Sequence, residues 1–412
     1  MMSHTAGLWQ ELLQLARGSG LKPLSLAGRE LIPVVQGGMG VGISASSLAG
    51  TVASAGGVGT ISSVDLRRLH PDLMALTTEA DKSPDAKAQI DAANLEALDR
   101  EINKARALSE GHGLIAVNVM KALSEYEAYV RQALASGADA IVVGAGLPLD
   151  LPDLASDFPK TALIPILSDA RGVQLVVRKW QKKKRLPDAI VIEHPRLAGG
   201  HLGAAKLSDL NDPRFDFENA IPQIKEFFHA EGIDIPLIAA GGISSQQDIH
   251  RLQSLGAAAV QLGTAFAVTR ESDAAPAFKQ VLAEAKPEDM VEFVSVAGLP
   301  ARAVRTPWLD KYLRIEPKLK AVAHVKERCT MAFDCLAHCG LRDGKSDIGQ
   351  FCIDKQLGHA LDGDVRKGLF FRGAGTLPFG AEIRPVQDLL RWLLAGLRPA
   401  PGAGFATEGI AS

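Results

Sequence analysis

The sequence predicts an α/β fold, a TIM (β/α)8 barrel carrying a helical, cysteine-bearing lid. Three observations predict it. Eight short apolar runs alternate with amphipathic helical segments. Glycine-rich loops follow the first, seventh and eighth of these runs. All four cysteines fall between Cys329 and Cys352, after the last run.

The runs occupy residues 32–36, 57–61, 114–119, 138–143, 162–167, 189–193, 236–240 and 258–262. Each is short and almost continuously apolar, as parallel strands buried on both faces are. Between them lie amphipathic stretches such as 124–136, 171–184 and 245–255. SGADAIVV reads as a helix end, a glycine cap and a strand start, and LGAAAVQLG repeats that logic. Residues 65–111 are too many for one ordinary loop and imply extra helices, including a long surface helix over 85–109. The expected organisation is a barrel over 22–270, a helical lid over 271–375 without further strands, and a C-terminal segment over 376–400. In that segment an amphipathic helix (383–397) returns to the barrel wall, and 401–412 form a disordered Pro/Gly-rich tail.

The bulk numbers agree with this layout. The chain has 412 residues, 47% hydrophobic, against roughly 250 for a bare barrel. Forty glycines suit many tight turns and close backbone approaches. A net charge of −2, from 45 basic and 47 acidic residues, gives no global field toward nucleic acid or a membrane surface. The basic run 182–185 reads as a solvated helix end. No stretch is apolar enough to span a bilayer, and MMSHTAGLWQELLQLARG has no signal-peptide pattern. The expectation is a soluble cytoplasmic protein, assembled as a homodimer.

In a barrel, phosphate is often held by the loops after strands 7 and 8. Here those loops are Ala240-Gly241-Gly242-Ile243 and Gly263-Thr264-Ala265. Glycine lets backbone N–H groups approach an anion, a following helix start adds its dipole, and Thr264 adds a hydroxyl. The loop after the first run, QGGMGVG, contains Gly40-x-Gly42-x-x-Ala45, with Asp65 further on, so a dinucleotide-binding reading also stands. The strand count and the two later loops favour the barrel, with Met39 packing against a flavin ring. After the sixth run comes HPRLAGGHLG. Its paired glycines bring backbone to the barrel mouth and present His201 there as a candidate general base, with His194 the weaker candidate.

These residues together resemble the nitronate monooxygenase (2-nitropropane dioxygenase) family of FMN enzymes. The resemblance rests on IPVVQGGMGVGIS, SAGGVGTIS, AVNVM, GADAIVVGAGLP, AGGHLG, PLIAAGGI, QLGTAF and GLPARAVR. It implies that Gly38, Met39 and Gly40 face the flavin ring and that Asn118 contacts it. It also implies that Gly199 and Gly200 lie against the cofactor, that Gly241, Gly242, Gly263 and Thr264 bind its phosphate, and that His201 is the catalytic base.

The cysteines depart from the simple family pattern, with spacing Cys329-x5-Cys335-x3-Cys339-x12-Cys352. Close spacing in a cytosolic chain argues for metal rather than disulfides. Only Cys335 and Cys339 have knuckle spacing, so a [4Fe–4S] cluster suits the set better than zinc, with free thiols the remaining reading. The segment, and GLFFRG after it, resembles an iron–sulfur-bearing subgroup typified by bacterial decanoyl-ACP dehydrogenase/isomerase. That resemblance implies oxidation and isomerisation of a medium-chain acyl-ACP for unsaturated fatty acid synthesis, with His201 as base. Arg302, Arg305, Lys311, Arg314, Lys318 and Lys320 would then receive the acyl carrier protein, or else form an ordinary solvated surface. The alternatives are nitronate oxidation with O2 and an NAD(P)H:quinone reductase. A non-enzymatic flavin sensor would leave His201 and the cysteines without a task.

Overall fold

The computed structural model describes residues 4–77, 84–325 and 328–399. Eight parallel strands close into a barrel: β1 (Val34–Gln36), β2 (Val58–Ser62), β3 (Leu114–Met120), β4 (Ala140–Gly144), β5 (Ala162–Leu167), β6 (Ile190–Glu193), β7 (Leu237–Ala240) and β8 (Ala259–Leu262). Each strand pairs with the next, and β8 closes on β1 with Gln261 opposite Val35. All eight strands fall where the apolar runs place them.

The alternation along β3 explains why the barrel is solid. Leu114 and Ala116 join Val35, Val58 and Ile164 in an inner cluster, while Ile115, Val117 and Val119 pack outward beneath the helices. Asn118 continues the inward face and so arrives at the C-terminal mouth. The opposite end is plugged by an antiparallel hairpin, Leu24–Leu26 with Arg29–Leu31. Its Leu24, Leu26 and Leu31 enter the inner cluster, and Arg29 donates to the Gly113 carbonyl just before β3.

The helices start where local chemistry caps them. Asp169 accepts the Gly172 N–H at 2.7 Å to open Ala170–Gln181. Ser245 and Asp248 form a capping box for Gln246–Leu255. The long connection after β2 holds the helices Pro71–Thr77 and Pro84–Ser109. The C-terminal helix, Val386–Ala395, packs on His4–Gly18 and on Gln246–Leu255. An Arg391–Glu11 ion pair at 2.8 Å and a 2.7 Å bond from Trp392 Nε1 to the Ser244 carbonyl tie it down.

One expectation is corrected. The region after β8 is not purely helical: Met290–Val294 pairs antiparallel with Pro300–Val304, and Gly200–His201 adds a third strand. In MVEFV, Val291 and Phe293 are buried and Glu292 is exposed. That is the period-two signature of a strand covered on one face, unlike the continuous apolar runs of the barrel. The 401–412 tail lies outside the described residues.

Candidate functional site

At the C-terminal mouth of the barrel is a cavity of about 310 Å³, where barrel enzymes bind their ligands. It is lined by Gly38, Met39, Gly40, Asn118, Gly199, Gly200, His201, Gly241, Gly242, Gly263 and Thr264. The structure therefore brings together every residue predicted for the flavin and the base.

Two of the loops have no room for another residue type. A Cβ on Gly38 would stand 2.4 Å from Asn118 Cβ, so only glycine lets the first loop cross the asparagine. Gly241 and Gly242 adopt φ of +111° and +73° where they line the cavity, a left-handed course that favours glycine. Among the described residues, the N–H groups of Gly241, Gly242, Gly263 and Thr264 donate to no protein acceptor. Thr264 Oγ1 accepts the Gly373 N–H at 3.0 Å, which leaves its own hydroxyl proton to give. Unclaimed amides and a hydroxyl around one space fit a phosphate group.

His201 sits on the short strand paired with Pro300–Val304, with Ala301 opposite it. Its Nε2 lies 2.9 Å from Ser295 Oγ, and its ring centroid 5.8 Å from that of Phe371. Burial pushes its pKa down to about 4, so the ring is neutral near pH 7. With Nε2 donating to Ser295, Nδ1 is the unprotonated nitrogen, the form a base requires. His194 does not reach the cavity. It is buried against Phe217, with Nε2 3.2 Å from Asp216 Oδ1, so its role is to hold the loop.

Arg302, expected on a basic surface, is instead 2% exposed. It pairs with Glu292 at 2.6 Å and donates to the Pro195 and Ala198 carbonyls. It thus braces the loop that carries His201. Spacing alone could not separate it from Arg305, which is exposed and paired with Asp310.

Two residues escaped the sequence reading: Glu193, which lines the cavity, and Ser295, which touches His201. Glu193 ends β6, and burial pushes its carboxyl up to about 7; the signal was a lone acid closing an apolar run. Ser295 lies in the turn between the two lid strands and carried no local signal.

The cysteines stand beside this site, and Cys335 lines the cavity. None of the four is in a disulfide. Burial pushes the Cys335 thiol up, and charge on Asp354, Cys352, Cys339 and Cys329 adds to the rise. Backbone N–H groups of Arg342 and Leu341 face Cys339, and that of Lys355 faces Cys352. The four are thus neighbours with amide donors on two sulfurs. Among the described residues, however, no three His, Cys, Asp or Glu side chains form a group that could hold a metal ion. The expectation of a preformed metal site is not met at that level.

The nitronate monooxygenase family model matches residues 28–396, most of the chain. The chain belongs to the nitronate monooxygenase family. A probable nitronate monooxygenase of Bacillus subtilis (strain 168) is 31% identical over 134 residues, 32% of this chain and 37% of that protein. One from Staphylococcus saprophyticus is 32% identical over 123 residues, 30% and 33% of the two chains. The chain spans about a third of the length of these curated relatives. Among solved structures, FabK from Thermotoga maritima aligns with a TM-score of 0.60 at 22% identity, covering 88% of this chain and 91% of that one. Nitroalkane oxidase from Streptomyces ansochromogenes aligns with a TM-score of 0.60 at 20% identity, covering 92% and 97%. At these identities the structures establish the barrel fold. No helix among the described residues is long and apolar enough to cross a membrane.

Proposed function

We propose that this member of the nitronate monooxygenase family is an FMN-dependent oxidoreductase that oxidises a medium-chain acyl thioester, with His201 as base. The observation that carries the reading is the wall the lid adds to the cavity. Leu336, Ile353, Leu357, Leu369, Phe371 and Leu377 all line it, apolar surface that a small nitronate does not need and an acyl chain does. FMN bound with its phosphate on the glycine loops would supply the acceptor for an electron pair.

The chain's own residues do the rest. Neutral His201 takes the α-proton, while Ser295 holds the ring in the tautomer that accepts it. The same imidazole can return the proton at another carbon, which is double-bond isomerisation. The apolar wall excludes water while the proton is held. Nitronate oxidation is the second reading, favoured by the family match, and it uses the same base.

For the cysteines the proposal is an iron–sulfur cluster, which rests on their spacing, Cys329-x5-Cys335-x3-Cys339-x12-Cys352, and on the amide donors that face Cys339 and Cys352. Lys311, Arg314 and Lys318 are exposed on the helix Pro307–Ala321 and offer a basic face to an acidic carrier protein.

The test is anaerobic mixing with decanoyl-ACP, followed at the flavin band, beside aerobic turnover of propyl nitronate. Bleaching by the acyl-ACP is expected. Rapid nitronate turnover without bleaching would replace the acyl reading by the second one.

A further inference from the structure

Four arginines among the described residues are buried: Arg67, Arg302, Arg372 and Arg384, with 4%, 2%, 6% and 8% exposure. Three have a carboxylate partner: Asp65 for Arg67, Glu292 for Arg302 and Glu382 for Arg384. No carboxylate among the described residues pairs with Arg372. A buried guanidinium without a counter-ion carries a large desolvation cost, and burial disfavours its charge here.

Its surroundings say which charge is missing. Arg372 lines the cavity and starts a strap across the phosphate loops. Gly373 N–H donates to Thr264 Oγ1 at 3.0 Å, and Ala374 N–H to the Leu197 carbonyl at 3.2 Å. A Cβ on Gly375 would sit 3.2 Å from Gly242 Cα. The guanidinium is held by two of its nitrogens: Nε donates to the Leu282 carbonyl at 2.8 Å, and Nη1 to that of Gly373 at 2.9 Å. Nη2 donates to no acceptor among the described residues, so two N–H groups remain on a residue that lines the same cavity as the unclaimed amides.

We propose that Arg372 is the counter-ion of the FMN phosphate, a lid residue that completes the cradle begun by Gly241, Gly242, Gly263 and Thr264. The inference rests on the FMN reading above and adds to it. The barrel loops supply neutral donors, and the lid supplies the positive charge. Cofactor binding and lid closure are then linked, because the strap that covers the phosphate also neutralises it. A phosphate on a substrate, such as that of a carrier's prosthetic arm, would offer the same chemistry, so the test separates the two sources.

Deflavinated full-length protein is titrated with FMN and with riboflavin, following flavin fluorescence, for the wild type, Arg372→Met and Arg372→Lys. Arg372→Met is expected to weaken FMN roughly 10- to 100-fold, the scale of a charge-assisted hydrogen bond. Riboflavin, which lacks the phosphate, should change less than about twofold, and Arg372→Lys should recover part of the FMN affinity. Equal loss of both flavins would make Arg372 a brace of the strap and overturn the proposal. So would unchanged FMN affinity with a raised KM for acyl-ACP, which assigns the arginine to a substrate phosphate. Wild-type protein that binds neither flavin would overturn the cofactor reading itself, a result distinct from both.

Discussion

His201 Nε2 lies 2.9 Å from Ser295 Oγ, across 94 positions of sequence. The pairing of Gly200–His201 with Pro300–Val304 makes that contact possible, because the serine lies in the turn of the same lid hairpin. Ser295 also accepts the Ala297 N–H at 3.3 Å, which fixes the hydroxyl. Ser295→Ala should lower kcat about 3- to 10-fold, the value of one hydrogen bond, with FMN affinity unchanged. Steady-state kinetics and a flavin titration check this, and an unaltered kcat would remove the serine from the mechanism.

The histidine's depressed pKa gives a pH prediction with a definite sign. The folded value is about 4, below the roughly 6.5 of an unfolded chain. Between those two values the unfolded state binds more protons. Stability is therefore full above the unfolded pKa and falls as pH drops toward 4. Denaturant melts from pH 7 to 4 should flatten in His201→Gln. The acid limb of kcat/KM should likewise lie near the depressed value, not near 6.5; a limb at 6.5 would point to another base.

Arg302 separates bracing from docking. Arg302→Met leaves the Pro195 and Ala198 carbonyls unsatisfied and should cost about 1–3 kcal/mol, while loosening the His201 loop and lowering kcat. Arg305→Met, at an exposed pair, should stay within about 0.5 kcal/mol of wild type. Thermal melts of the two variants decide it, and equal losses would contradict the burial difference.

The exposed basic face makes a carrier-specific prediction. Lys311→Glu with Lys318→Glu should raise KM for acyl-ACP, and the effect should shrink with added salt. A free acyl thioester without the carrier should be turned over unchanged. A KM change common to both substrates would locate the effect in the cavity.

For the cysteines, purified protein should contain iron and a broad absorption near ~400 nm in addition to the flavin bands. Cys335→Ser should remove both while retaining FMN. Protein without iron, with four titratable thiols, would return the segment to a plain structural lid.

The sequence by itself determined the barrel and most of its mouth. Eight doubly buried strands must be apolar along their whole length, so they stand out in any register. Loops such as Gly241-Gly242, held at left-handed φ at the cavity, favour glycine, and that too is visible locally. The proposed base was legible for the same reason: His201 directly follows two glycines in the loop after a strand end. The tertiary structure alone decided what faces these residues. Whether Arg302 is solvated or buried depends on the pairing of Pro300–Val304 with Met290–Val294 on one side and, about a hundred residues upstream, with Gly200–His201 on the other. Ser295 and Arg372 acquire meaning only when the lid folds back over β7 and β8. Spacing along a chain fixes local conformation, but a counter-ion or a proton partner is set by distance in space. That distance depends on long-range packing which no short window of sequence contains.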